Sequence, residues 1–198
     1  LPLLEDGQID EELAISLIRQ AVDQGVNYID TAYPYHGQTM GEGGASEPLV
    51  GKALQDGYRD KVYLATKSPC WLVKEPADFD RFLDEQLARL QTDHLDFYLM
   101  HAQSAKNYGH FKACRAYETA FALKAEGRVR HVGLSFHDSA EVLEQILKEY
   151  PAIEAVQLQF NYADYDDPKV QSRKCYEVCV KHGKPVIVME PVKGGSLV

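Results

Sequence analysis

The segment IDTAYPYHG, residues Ile29–Gly37, ends the first run of this chain that reads as a β-strand, Val26–Ala32. A doubly wound dinucleotide-binding sheet would carry G-x-G-x-x-G directly after that strand, where glycines let the backbone turn against a pyrophosphate. Here an acid, Asp30, stands near the strand tip, and aromatic residues and a proline follow it. The segment turns the reading away from the open dinucleotide-binding sheet.

Working outward, five more β-rich runs follow at Val62–Lys67, Leu95–His101, Val129–His137, Ala155–Asn161 and Pro185–Pro191. Their starts are 36, 33, 34, 26 and 30 residues apart, one strand-helix unit each time. Between them, apolar residues recur at helical spacing, as in Leu13, Leu17, Ile18 and Ala21, or Phe79, Phe82, Leu83 and Leu87. Asp78 and Asp80 bias a helix first turn, and Gly25, Gly57, Gly127 and Gly183 sit where helices should stop. Near-continuous apolar strands imply a parallel sheet covered by helices. The even repeat favours a closed (βα)8 TIM barrel, which takes about eight strands. Six are present, so residues 1–198 are expected to form a single barrel domain cut at both ends, one strand before Leu1 and one after Val198.

In such a fold the C-terminal strand tips lie side by side at the ligand face. Asp30, Lys67 and His101 occupy successive tips, with Tyr35 five residues after the first. A phenol is a poor acid at neutral pH. An ammonium within hydrogen-bond reach stabilises the phenolate and eases proton donation to a carbonyl oxygen. A buried Lys67 needs a carboxylate, and Asp30 supplies one. His101 would orient the same carbonyl. The bland reading of each residue is a structural ion pair below a core histidine and a surface tyrosine. The four together read as a site.

Bulk properties bound the partners. The 198 residues are 45% hydrophobic and 26% charged, ordinary for a globular domain. A net charge of -9 argues against nucleic acid or an anionic membrane as partner. The start LPLLEDGQIDEE is no secretory signal, and an opening Leu1 suggests a beginning inside a longer protein. The four cysteines follow no disulfide framework and suit a reducing, cytoplasmic compartment. Cys175 and Cys179, at i and i+4, lack further ligands at metal spacing and read as buried thiols, with no metal site expected.

The motifs resemble the aldo-keto reductase family. YIDTAYPY (Tyr28–Tyr35) matches its D-T-A-x-x-Y, ATK (Ala65–Lys67) carries its lysine, and LMH (Leu99–His101) its histidine. GGASEPLVGKAL (Gly43–Leu54) matches G-x-S-E-x-x-x-G, and GRVRHVGLS (Gly127–Ser135) the strand G-x-[IV]-R-x-[IV]-G-[IVL]-S. The match runs in order over nearly all of Ile9–Val198. The resemblance implies an eight-stranded barrel and reversible NADP- or NAD-dependent reduction of small aldehydes and ketones. It makes Tyr35 the general acid, Lys67 and Asp30 its tuning pair, and His101 the orienting residue. It also implies a nicotinamide held by Ser135 and Gln157. Phe136 stands where an asparagine is usual, and Met189 where a tyrosine stacks. Pro191, Val192 and Gly194, with Lys193, form the EPVKGG turn that would cover the pyrophosphate.

SFHDS (Ser135–Ser139) and VMEPVKGG (Val188–Gly195) resemble one branch in particular, whose barrel is followed by a ferredoxin-like module with 4Fe-4S clusters. A cluster-bearing version would pass single electrons through a carrier. A nucleotide-sensing regulatory subunit with little turnover is the other alternative. Three further features are open to two readings. His36 replaces a usual glycine and either reshapes substrate entry or is merely exposed. Gly41, Glu42, Gly43 and Gly44 suit a flexible lid or a plain solvent loop. Trp71 lines a substrate pocket or covers a barrel edge.

Overall fold

The computed structural model describes residues 1–39 and 41–198. Seven helices and six strands are described: α1 (Glu11–Asp23), β1 (Tyr28–Asp30), α2 (Ser46–Ala53), β2 (Tyr63–Ser68), α3 (Ala77–Leu90), β3 (Leu95–Gln103), α4 (Ala105–Ala113), α5 (Ala116–Ala125), β4 (Val129–Phe136), α6 (Ala140–Glu149), β5 (Ala155–Gln159), α7 (Ser172–Lys181) and β6 (Val186–Met189). Among the described residues no helix is long and apolar enough to cross a membrane.

Local chemistry accounts for these boundaries. The Asp10 carboxylate accepts from the Leu13 amide at 3.0 Å and caps α1, with Glu11 and Glu12 in its first turn. In α3 the expected stripe Phe79, Phe82, Leu83 and Leu87 is buried. Gly25, Gly127 and Gly183 close α1, α5 and α7 with positive φ, as their positions predicted. All six expected strands form: β1, β4, β5 and β6 are shorter than expected, β2 is shifted by one residue, and β3 runs two residues past His101 to Gln103. Pro185 has no N–H to donate to a ladder, so β6 begins at Val186. The first strand is shortest, Tyr28–Asp30, although Thr31 still donates to Ala65 at 3.0 Å beyond its end.

The strands pair in sequence order, β1 to β6, and every pair is parallel. Between this sheet and the helices lies the core, in which Leu64, Tyr98, Met100, Leu134 and Val156 pack with Phe79, Leu83, Leu143 and Ile146. The other face is concave and layered. At its N-terminal end Phe97 stacks on His131 with ring centroids 4.9 Å apart, and Tyr28 meets Phe97 edge-on at 5.6 Å. One layer up, a Cβ on Gly133 would lie 2.7 Å from both Leu99 Cδ2 and the Ala155 carbonyl, so hydrogen is the side chain that fits. The top layer holds Asp30, Lys67, His101, Ser135 and Gln157. The sheet is curled enough that Gln157 Nε2 on β5 donates to Asp30 Oδ1 on β1 at 3.1 Å. The six strands make a parallel half-barrel, as expected for a barrel of which these residues hold six strand-helix units.

Candidate active site

The tip of β1 and the turn after it build the first half of the site. Tyr35 donates its amide to the Ala32 carbonyl at 3.1 Å, which folds the chain back over the sheet and sets the phenol above Lys67. The turn is clamped from the far side. Gly44 donates to Tyr33 O at 2.8 Å and Ser46 to Tyr35 O at 3.1 Å, which leaves no room at Gly44, where a Cβ would sit 2.0 Å from Tyr35 O. Arg89 donates to the Gly44 carbonyl and, through Nε, to Glu47 Oε2 at 2.9 Å. Gly44 is therefore anchored, and neither reading of Gly41–Gly44, a flexible lid or a plain solvent loop, describes that residue. Met40 lies outside the described residues. His36 takes φ +57°, the region glycine favours, which is a physical reason for a glycine to be usual there.

Beneath the turn is a buried polar platform. Glu47 is fully buried, and it accepts from Thr66 Oγ1 at 2.7 Å, Gln86 Nε2 at 2.7 Å and Arg89. Burial raises the carboxyl of Glu47, and those three donors pull it back down. Gln86 also donates to the Lys67 carbonyl at 3.1 Å, so the platform fixes the β2 backbone that carries Lys67. The GASE stretch is thus a buried brace.

Lys67 is 1% exposed. Its ammonium donates to Asp30 Oδ2 at 2.5 Å, Thr31 O at 2.9 Å and Tyr35 Oη at 3.2 Å. A lone buried ammonium would lose its proton, and the carboxylate offsets that cost. The Tyr35 ring meets His101 edge-on at 5.9 Å, and the Trp71 ring lies 5.3 Å from the same imidazole. Burial pushes His101 down to about 3, aided by the charges of Lys67 and His137. The ring is neutral at physiological pH. Its Nδ1 is buried without a partner among the described residues, so the proton belongs on Nε2, because an orphaned lone pair costs less than an orphaned N–H. His101 is therefore a one-proton donor.

The structure brings Asp30, Tyr35, Lys67 and His101 into one cluster, and sets Ser135 and Gln157 beside it. Ser135 is 1% exposed, with Oγ 3.4 Å from His137 Nε2. Phe136 points the other way, into the core between sheet and helices. His137 was not singled out in the sequence, although two-residue alternation from Ser135 puts it on the cleft side. Its imidazole is pushed down by desolvation and partly lifted by Glu190. Gln157 uses Nε2 on Asp30, while its Oε1 is buried without a partner among the described residues. Met189 is half-buried at the tip of β6, and Pro191, Val192 and Gly194 are exposed on the turn after it. In that turn Lys193 Nζ is engaged by Asp164 Oδ1 at 2.6 Å, and this bond with those from Asn161 and Gln159 holds the Asp164 carboxyl at about 2. All four cysteines are free buried thiols, Cys175 and Cys179 pushed up by burial to about 11 and about 12. Among the described residues no group of three or more His, Cys, Asp or Glu converges on a point that would hold a metal.

A model described as the aldo/keto reductase family matches residues 3–198. The NADH-specific methylglyoxal reductase of Escherichia coli (strain K12) is 25% identical over 209 residues, covering 97% of this chain and 60% of its own. Among solved structures, an aldo-keto reductase from Bacillus halodurans in its holo form superposes with a TM-score of 0.69 at 28% identity, over 94% of this chain and 58% of that one. An aldo-keto reductase from Klebsiella pneumoniae in complex with NADPH gives 0.72 at 27% identity, over 94% and 61%. The chain spans about three fifths of the length of these relatives. The likeness reaches the family and not the iron–sulfur branch within it.

Proposed function

The chain belongs to the aldo/keto reductase family, and on that premise we propose that it reduces a small aldehyde or ketone with NADH or NADPH, Tyr35 giving the proton. The observation that carries this reading is the contact of Lys67 Nζ with both Tyr35 Oη and Asp30 Oδ2, at 3.2 Å and 2.5 Å. A substrate carbonyl oxygen placed between Tyr35 Oη and His101 Nε2 accepts a hydrogen bond from each. As that oxygen gains negative charge it takes the Tyr35 proton, and the Lys67 ammonium stabilises the phenolate left behind. Asp30 and the Thr31 carbonyl hold the ammonium in place for this. His101, neutral and with a single N–H, donates to the oxygen without competing to protonate it.

Ser135 and Gln157 suit a planar carboxamide: a buried acceptor, Gln157 Oε1, needs a donor, and a primary amide has one. Met189 would lie against the ring, and the backbone of Pro191, Val192 and Gly194 would line the pyrophosphate. Reduced nicotinamide, when bound, supplies a hydride. The methylglyoxal reductase relative supports a small carbonyl substrate, and the NADPH complex supports a nicotinamide cofactor. Four free thiols support a reducing, cytoplasmic setting.

Tyr35→Phe is the test. Consumption of NADH or NADPH against a panel of aldehydes and ketones, methylglyoxal included, should fall by roughly 10²–10⁴-fold. Cofactor binding should persist, because the phenol is not among the groups proposed to hold the cofactor. A variant that turns over like wild type removes Tyr35 as the acid.

A further inference from the structure

We propose that Gln157 is a positioning residue that acts through Asp30: its amide occupies one carboxylate oxygen and so keeps the Lys67 ammonium on the other, within reach of the Tyr35 phenol. The inference deepens the proton-donor reading of Tyr35 and rests on it.

The two residues are 127 apart in sequence and lie on strands that are not neighbours, β1 and β5. Only the curl of the sheet joins them. Gln157 Nε2 takes Asp30 Oδ1 at 3.1 Å, and Lys67 Nζ takes Oδ2 at 2.5 Å. An ionised carboxylate accepts and never donates, so Asp30 dictates that the amide nitrogen, not its oxygen, faces it. Gln157 is 2% exposed, and its Oε1 finds no partner. An orphaned buried acceptor costs on the order of 1–3 kcal/mol. The molecule carries that cost at the same side chain that satisfies Asp30, which marks the donor end as the one in use.

The other titratable groups facing the pair do not duplicate this contact. Tyr28 lies below Asp30, with its phenol pushed up by burial and then by the Asp30 charge. His101 and His137 both lie in the field of Lys67, and burial above all pushes both imidazoles down. If the amide is removed, Oδ1 and Oδ2 compete for one ammonium. Lys67 Nζ then moves toward a position between the two oxygens and away from Tyr35 Oη, now at 3.2 Å. Phenolate stabilisation weakens as that separation grows.

The experiment reads the phenol and not the turnover. In cofactor-free protein, the titration of Tyr35 is isolated as the phenolate absorbance difference between each protein and the same protein carrying Tyr35→Phe. Gln157→Met, similar in size and without a donor, should move that titration to higher pH by about half a unit to one unit. Gln157→Leu should do the same, and it carries the test if the first variant does not fold. In an Asp30→Asn background the Gln157 substitution should add nothing, because the effect runs through the carboxylate. An unmoved titration in both Gln157 variants, or an equal shift with and without Asp30, overturns the proposal. A shifted phenol in a protein that consumes neither NADH nor NADPH supports this inference and overturns the reductase reading instead.

Discussion

His36 is the residue at which the local backbone and the side chain disagree most plainly. Its φ of +57° lies in the left-handed region, where a side chain costs on the order of 1 kcal/mol relative to glycine. The ring is exposed, so little packing offsets the strain. His36→Gly should therefore stabilise the fold by about 0.5–1 kcal/mol even after the added freedom of the unfolded chain. A thermal melt would register this as a rise of about 1–4 °C for a chain of this size. A flat or lower melting temperature would mean that the ring makes contacts worth more than the backbone relief. A second residue-scale lesson concerns Phe136 and His137. Neighbouring letters in a strand face opposite sides, so the residue to compare with Ser135 is His137, two positions on, and not Phe136. That parity is legible in LSFHD itself. What was not readable is that the Phe136 ring is committed to the core.

At the scale of elements, strands were far easier to read than loops. All six expected strands appear. Of these, β3, β4 and β5 are near-continuous buried runs, which leave a plain signature, while the outer strands β1 and β6 are only partly covered. The glycine-rich segment after Tyr35 shows the opposite case. Composition suggests a mobile loop, yet Gly44 is glycine because a backbone passes too close for anything larger. A Cβ there would meet Tyr35 O at 2.0 Å and Gly37 N at 2.6 Å, both main-chain atoms that cannot rotate aside. Gly44→Ala should push the Tyr35 turn off the sheet. The expected result is a loss of turnover of at least tenfold with a lower melting temperature, since the clamp holds the reacting phenol. Gly41→Ala is the matched control, because its nearest neighbour is Thr39 Oγ1 at 3.9 Å. Equal behaviour of the two variants would show that the clamp does not position Tyr35. Glu47 was equally hidden. A glutamate in a helix first turn reads as solvated, and its burial follows only from the convergence of Thr66, Gln86 and Arg89 from two other elements.

The whole molecule decides what no window of sequence can. The three strand-tip residues, Asp30, Lys67 and His101, were legible because the repeat itself predicts adjacency, and Tyr35 because it follows the first tip closely. The Gln157–Asp30 bond was not, because it depends on how far six strands curl. The same enclosure sets a global acid response. His101 titrates at about 3 in the folded chain and near its ordinary 6.5 when unfolded. Between those values the unfolded chain takes up a proton that the folded chain refuses. Stability is therefore complete above about pH 6.5 and falls as the pH drops through this window, with a slope from this group approaching about 1.4 kcal/mol per pH unit. The lowered carboxyls of Glu144, Glu149 and Asp164, each at about 2, lose their stabilisation only at lower pH, below their unfolded values of 4.5, 4.5 and 3.8. Glu47 works in the opposite sense, since burial raises it and acid relieves its charge. Between pH 6.5 and 4.5 the histidines set the loss of stability, which Glu47 opposes, and His101 is the most strongly shifted of those pushed down. His101→Gln should flatten the pH dependence of the urea midpoint in that window and leave the steeper loss below pH 4.5 intact. If the slope between pH 6.5 and 4.5 survives the substitution, the imidazole is not buried neutral, and its role as a one-proton donor to a carbonyl goes with it.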